Sequence, residues 1–154
     1  MPSPLRFCVR RSAVTDADGT VTLVTLRFPS DVSYIEEAVE LVARHCLAGF
    51  EAAPQIRFRL RVVLAEALTN AILRGNQEDR AKWVDVQAEL RPDIIRVRVA
   101  DEGPGFDPSA VPEPTAAPRL DDTGGRGLYL IRKLVDAVQF NAQGNSICMT
   151  LRRR

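Results

Sequence analysis

The stretch that most constrains this chain is residues 62–73, VVLAEALTNAIL, in which only Glu66, Thr69 and Asn70 are polar. At 3.6 residues per turn these three fall within roughly 100° of arc and make one polar patch on one helix face. Leu60, Leu64, Leu68 and Ile72 cover another side, so the patch is not simply the solvated side of a surface helix, although Arg57, Arg59 and Arg61 wet its first turns. A carboxylate buried without partners is expensive. Two readings follow: the patch faces a pocket with something to bind, or it makes ordinary buried hydrogen bonds.

The rest of the chain supplies the surroundings of that helix. Residues 5–11 and 20–28, rich in β-branched and aromatic residues and separated by the turn signal DADG, predict a hairpin. A first helix follows, with Ser30, Asp31 and Ser33 as candidate caps, Ile35, Val39, Val42 and Cys46 as its apolar stripe, and Gly49 as its end. The central helix starts near Pro54 and runs to about Arg74, where Gly75 stops it. Val84, Val86, Ala88 and Leu90 alternate with polar residues, as do Ile95, Val97 and Val99 after the Pro92–Asp93 turn. These are two antiparallel strands, each with one buried face. A third helix is expected with Leu128, Ile131, Val135 and Val138 as its stripe, then a last strand, SICMTL. The economical arrangement is an α/β two-layer sandwich, a mainly antiparallel sheet with three helices packed on one face.

Asp101 shares the parity of Ile95, Val97 and Val99, which aims its carboxylate toward the helices and into the same cavity as Glu66 and Asn70. The bland alternative is that Asp101 begins a turn, with Gly103 and Gly105 in DEGPGF marking a sharp strand exit. A second glycine cluster, TGGRGLYLIRKL, leads directly into a helix, where free backbone N–H groups make a candidate phosphate site.

With 154 residues the chain is one domain, long enough for a single core. A net charge of +1 offers no global field for nucleic acid or an anionic membrane, and the terminal RRR reads as a solvated tail. Cys8, Cys46 and Cys148 show no metal or redox spacing and read as buried small hydrophobes of a reducing compartment. With neither a leader pattern nor a bilayer-length apolar run, a cytoplasmic protein is the expectation. Residues 102–124 hold five of the ten prolines and no periodicity, which predicts a functional loop.

Together, EALTNA, DEGPGF and GGRGL, in this order and spacing, resemble the GHKL (Bergerat-fold) ATPase superfamily of gyrase, MutL and histidine-kinase catalytic domains. Within it the likeness runs to the anti-sigma-factor serine/threonine kinases of bacterial stress and sporulation control, over about residues 24–151. The resemblance implies a histidine-kinase-like ATPase fold spanning 1–154 with a lid at about 103–125, and ATP with Mg²⁺ as its ligands. Carried over to this sequence, Asn70 would coordinate Mg²⁺, Glu66 would be the general base, and Asp101 would accept from the adenine amine. Gly103 and Gly105 would let the backbone approach the nucleoside, while Gly125, Arg126 and Gly127 would lie at the lid and phosphates. Two departures stand out. Arg74 occupies the position of the family's histidine, and GNS replaces the family's Gly-Thr pair, with Ser146 as the match.

The implied function is phosphorylation of an anti-sigma-factor antagonist in a partner-switching circuit, with a sigma factor as a further candidate partner and homodimerisation suggested by the likeness. Direct contact with nucleic acid or membrane is not expected. The alternative is a non-catalytic ATP-binding regulatory module. A detached histidine-kinase domain is disfavoured because His45, in VARHCLAG, lacks an acidic neighbour and reads as a packed helix histidine.

Overall fold

The computed structural model describes residues 4–13, 20–47, 54–105 and 123–152. In chain order these form β1 (Arg6–Ala13), β2 (Thr20–Pro29), a 3₁₀ turn (Val32–Tyr34), α1 (Ile35–Cys46) and α2 (Pro54–Asn70). A π turn (Ala71–Gly75) follows, then β3 (Trp83–Leu90), β4 (Ile94–Ala100), α3 (Thr123–Leu134), β5 (Ala137–Phe140) and β6 (Ser146–Arg152). The six strands make one sheet in the order β1-β2-β3-β4-β6-β5, every neighbouring pair antiparallel.

Alternation decides which sheet face is covered. Leu26, Val86, Val99 and Ile147 stand opposite one another across four strands and are buried. The next row, Thr25, Gln87, Arg98 and Cys148, belongs to the other face. The buried row joins the helix side chains in a single core. Leu60, Leu64 and Leu68 of α2 are fully buried there, each stabilising the fold by about 1.5–3 kcal/mol. This is the two-layer sandwich expected from the sequence. Among the described residues no helix is long and apolar enough to cross a membrane.

Several details differ from the expectations. The third helix ends at Leu134. Val135 lies beyond it, and Val138 belongs to the four-residue strand β5, opposite Met149 of β6. Over so short a span the helical and extended periods coincide, and pairing with β6 is what selects the strand. Cys8 is exposed on β1 and Cys148 is only partly buried, so Cys46 alone is the buried hydrophobe expected of all three. The first helix ends at Cys46, and Gly49 and the DADG turn lie outside the described residues.

Two arginines expected to be solvated instead hold the helices together. Arg61 donates to Glu40 of α1 at 2.5 Å. Arg59 Nε donates to the Leu134 carbonyl at 2.5 Å, and its guanidinium reaches Asp136 at 3.1 Å. A cation at the last carbonyls of α3 is favoured by the helix macrodipole. His45 is a packed helix histidine, bonded to the Leu41 carbonyl at 2.8 Å and against the Phe7 ring. Trp83 lies under the guanidinium groups of Arg6 and Arg27, with Arg27 4.9 Å from the ring centre.

Candidate active site

The polar patch of α2 lies beside the start of α3. Glu66 and Asn70 are partly buried, while the residues between them, Ala67 and Leu68, face the core. Gly127, buried in the second turn of α3, closes over both. A methyl group on its Cα would stand 2.9 Å from Glu66 Oε2 and 3.2 Å from Asn70 Nδ2. The carboxylate and the amide, four residues apart, therefore meet Gly127 of the glycine-rich helix entry, 57 residues beyond Asn70, at one spot. Thr69, the third member of the patch, donates its hydroxyl to the Ala65 carbonyl at 2.7 Å and is satisfied within its own helix.

A second cluster forms where α2 ends. The helix leaves its regular path through the π turn, in which the Asn76 N–H donates to the Ala71 carbonyl at 2.8 Å. Such wide turns accommodate one extra residue and are frequent at functional sites. Here the turn carries Gly75 against the Asp101 carboxylate, so closely that a Cβ would collide with it. Gly103 packs on the Gly75 carbonyl in the same way, and any side chain there would displace the backbone. Gly105 has φ +80°, a conformation that favours glycine, and abuts the Gln143 carbonyl. The glycines of DEGPGF are thus required by close backbone approach, beyond a simple strand exit.

Asp101 sits just past the end of β4, half-buried on the helix side, and its Oδ1 accepts from the Gly103 N–H at 2.8 Å. Burial pushes its carboxyl above the ordinary aspartate range, against the opposing pull of that N–H and of the Lys82 charge. Its own N–H donates to the Asn145 carbonyl at 2.9 Å.

Three asparagines that the sequence reading passed over organise this end. Asn141 Oδ1 accepts from the N–H groups of Gly144, Asn145 and Ser146 at 2.8, 3.0 and 3.1 Å. The Asn145 amide donates to the Gly103 carbonyl at 3.3 Å. Asn76 is completely buried and bonds to Ser30, to the Trp83 carbonyl at 3.0 Å and to the Glu102 N–H at 2.8 Å. Its only sequence signal was a second asparagine placed directly after Gly75.

The candidate residues thus fall into two groups, Glu66, Asn70 and Gly127 in one and Asp101, Gly103 and Gly105 in the other, joined by the last turns of α2. Gly125 and Arg126 lie in the first turn of α3, where side chains fall outside the described residues. Ser146 is not brought into either group: it pairs with Ala100 and shares the parity of Cys148 and Thr150, the sheet face away from the helices. Arg74 is an exposed member of the π turn.

A helix bearing a carboxylate and an amide, a strand ending in a half-buried aspartate between closely packed glycines, and a glycine-rich helix entry over the first pair make up the candidate site. The chain belongs to the histidine kinase-like ATPase domain family, whose model matches residues 28–151. It is 27% identical over 141 residues to the serine-protein kinase RsbW of Listeria innocua, covering 82% of this chain and 85% of that one. To the serine-protein kinase RsbW of Bacillus subtilis it is 34% identical over 98 residues, 59% of this chain and 61% of the relative. To the anti-sigma F factor of Oceanobacillus iheyensis it is 30% identical over 97 residues, 59% and 66% of the two chains. In the last two cases the match spans under two thirds of the relative.

Proposed function

We propose that this chain is an ATP-dependent protein serine/threonine kinase and anti-sigma factor, which phosphorylates an anti-sigma-factor antagonist and so controls release of a sigma factor. The observation that carries the reading is the convergence of Glu66, Asn70 and Gly127, supported by the similarity to serine-protein kinases along most of the chain.

The donor set suits the ligand. Asn70 offers an amide oxygen to Mg²⁺, a hard cation that takes oxygen ligands and keeps several from phosphate and water. Among the described residues no group of three or more His, Cys, Asp or Glu is placed to hold a metal without them. When bound, the ion neutralises charge on the phosphates. Glu66 takes the proton from a substrate Ser or Thr hydroxyl as its oxygen bonds to the γ-phosphorus and the bond to ADP breaks. Asp101, ionised, accepts from the exocyclic amine of adenine, and the glycines at 103 and 105 keep side chains out of the nucleoside's path. Gly125, Arg126 and Gly127 lie at the lid and around the phosphates, the lid spanning about 103–125, of which residues 106–122 lie outside the described residues. The whole chain works as one domain.

The test is transfer of labelled γ-phosphate from ATP into proteins of a source-cell lysate, comparing wild type with Glu66→Gln. The reading expects a protein labelled on Ser or Thr by wild type alone, with ATP bound by both. ATP binding without any Glu66-dependent product would instead favour a non-catalytic nucleotide-sensing module.

A further inference from the structure

We propose that Asn76 is a positioning residue for nucleobase selection: its buried amide holds the Asp101–Gly103 turn where the Asp101 carboxylate can read a purine's exocyclic amine. The inference rests on the assignment of Asp101 to the nucleobase made above. It concerns a residue that touches no nucleotide in that assignment.

A polar side chain with no exposure must satisfy its donors and its acceptor within the protein. Asn76 does so with partners from separate parts of the fold. Oδ1 accepts from the Glu102 N–H at 2.8 Å, the peptide group directly after Asp101. Nδ2 donates to the Trp83 carbonyl at the start of β3, at 3.0 Å, and to Ser30 at the end of β2. Its own N–H closes the π turn on Ala71. One residue thus fastens the exit of β4 to β2, to β3 and to the end of the helix that carries Glu66 and Asn70.

The bond to Glu102 matters because the turn's other bonds run elsewhere: the Asp101 N–H donates to the Asn145 carbonyl at 2.9 Å, and Arg27 of β2 reaches the Glu102 carboxylate at 3.7 Å. The Asp101 side chain is bonded within its own turn, to the Gly103 N–H. Gly103, with no side chain, is held by contact with Gly75 and by the bond from Asn145. Without the Asn76 acceptor, the Glu102 N–H loses its partner, and the packing of Asp101 and Gly103 on Gly75 is left to set the turn's place relative to α2. A displaced acceptor no longer distinguishes a base with an amine from one with a carbonyl oxygen, since such discrimination depends on placement within a few tenths of an ångström.

The experiment compares binding of ATP and of inosine triphosphate, which carries an oxygen where adenine has its amine, by calorimetry. Wild type is expected to prefer ATP by about 10-fold or more. Asn76→Ala should bring the two affinities within about 2-fold of each other, chiefly through weaker ATP binding. Ser30→Ala cuts the far end of the same network but leaves the Glu102 bond, so it should keep the wild-type ratio even where it lowers stability. Should Asn76→Ala not fold, Asn76→Ser, too short to bridge, is read in the same way. An Asn76 variant that keeps the wild-type ratio while Asp101→Ala loses it overturns the proposal alone, as does a Ser30→Ala that loses the ratio equally. Wild type without a preference, or Asp101→Ala with an unchanged one, overturns the Asp101 assignment and the proposal with it.

Discussion

Gly127 of α3 lies over Glu66 of α2 with so little room that one added methyl group would stand 2.9 Å from the carboxylate oxygen Oε2. The two residues are 61 positions apart, and the arrangement of the helices alone sets their distance.

Gly127→Ala tests that closeness. Alanine suits a helix interior better than glycine by about 0.5–1 kcal/mol, and the atoms it meets are the ends of side chains that can turn away. The variant should therefore melt at or above the wild-type temperature while phosphotransfer falls by roughly 10²-fold, the scale of an ångström misplacement at a reacting centre. Unchanged transfer would show that Glu66 is not required in its observed position.

Asp101 sets a pH dependence. Because burial raises its carboxyl, the folded state binds more protons than the unfolded state above the ordinary value of 3.8, until the folded value is passed. Its contribution to stability therefore falls as pH rises through that window and is least favourable at neutral pH. ATP binding runs the opposite way, since only the ionised form accepts from an amine. Affinity should hold at neutral pH and weaken on acidification sooner than an ordinary aspartate would cause. Asp101→Asn should raise the apo melting temperature, weaken ATP binding and remove this acid limb, which titration calorimetry across pH would record.

Arg59 joins α2 to the end of α3, and Arg59→Gln should destabilise the protein by about 1–2 kcal/mol, because a charged donor leaves the Leu134 carbonyl. Asp136 is held below its usual range first by the Arg152 N–H and then by Arg59, against burial. The stability this supplies is present above the ordinary aspartate value and is lost as pH falls through the depressed one. Chemical denaturation at neutral and acid pH should show the variant losing less on acidification than wild type.

Gln77 and Glu78 follow the π turn with φ 53° and 58°, left-handed conformations that disfavour ordinary side chains. Both are exposed. Gln77→Gly should relieve that strain and raise stability by up to about 1 kcal/mol, or about 2–4 °C in melting temperature. A lower melting temperature would mean that the glutamine side chain contributes more than its backbone costs.

The layers of the fold were legible because their periods are long and clean. Eight residues of β3 alternate without a break, and α2 buries Leu60, Leu64 and Leu68 at the expected spacing. Glu66, Asn70 and Asp101 were legible for a related reason, being polar residues at positions whose neighbours are buried. What escaped was decided by partners distant in sequence. Nothing local separates Val138 in a strand from Val138 in a helix until β6 is beside it. Asn76 looks like a turn residue after a glycine, and only Ser30, Trp83 and Glu102 reveal it as a buried junction. Arg59 and Arg61 carry charge, which by itself reads as solvated, yet each finds an acceptor on a neighbouring helix or at its end.

The π turn between Ala71 and Gly75 makes the two halves of the site depend on a count of residues as well as on their chemistry. Each residue of a helix turns its successor by about 100°. Inserting one more residue into this turn, which already takes up one extra, would leave the charge and nearly all of the core unchanged, yet would swing Gly75 away from Asp101 and Asn76 away from Glu102. Substitutions in this segment are thus to be judged one side chain at a time, whereas a single-codon gain there would sever the proposed nucleobase end from the proposed phosphate end while every proposed contact residue was still encoded.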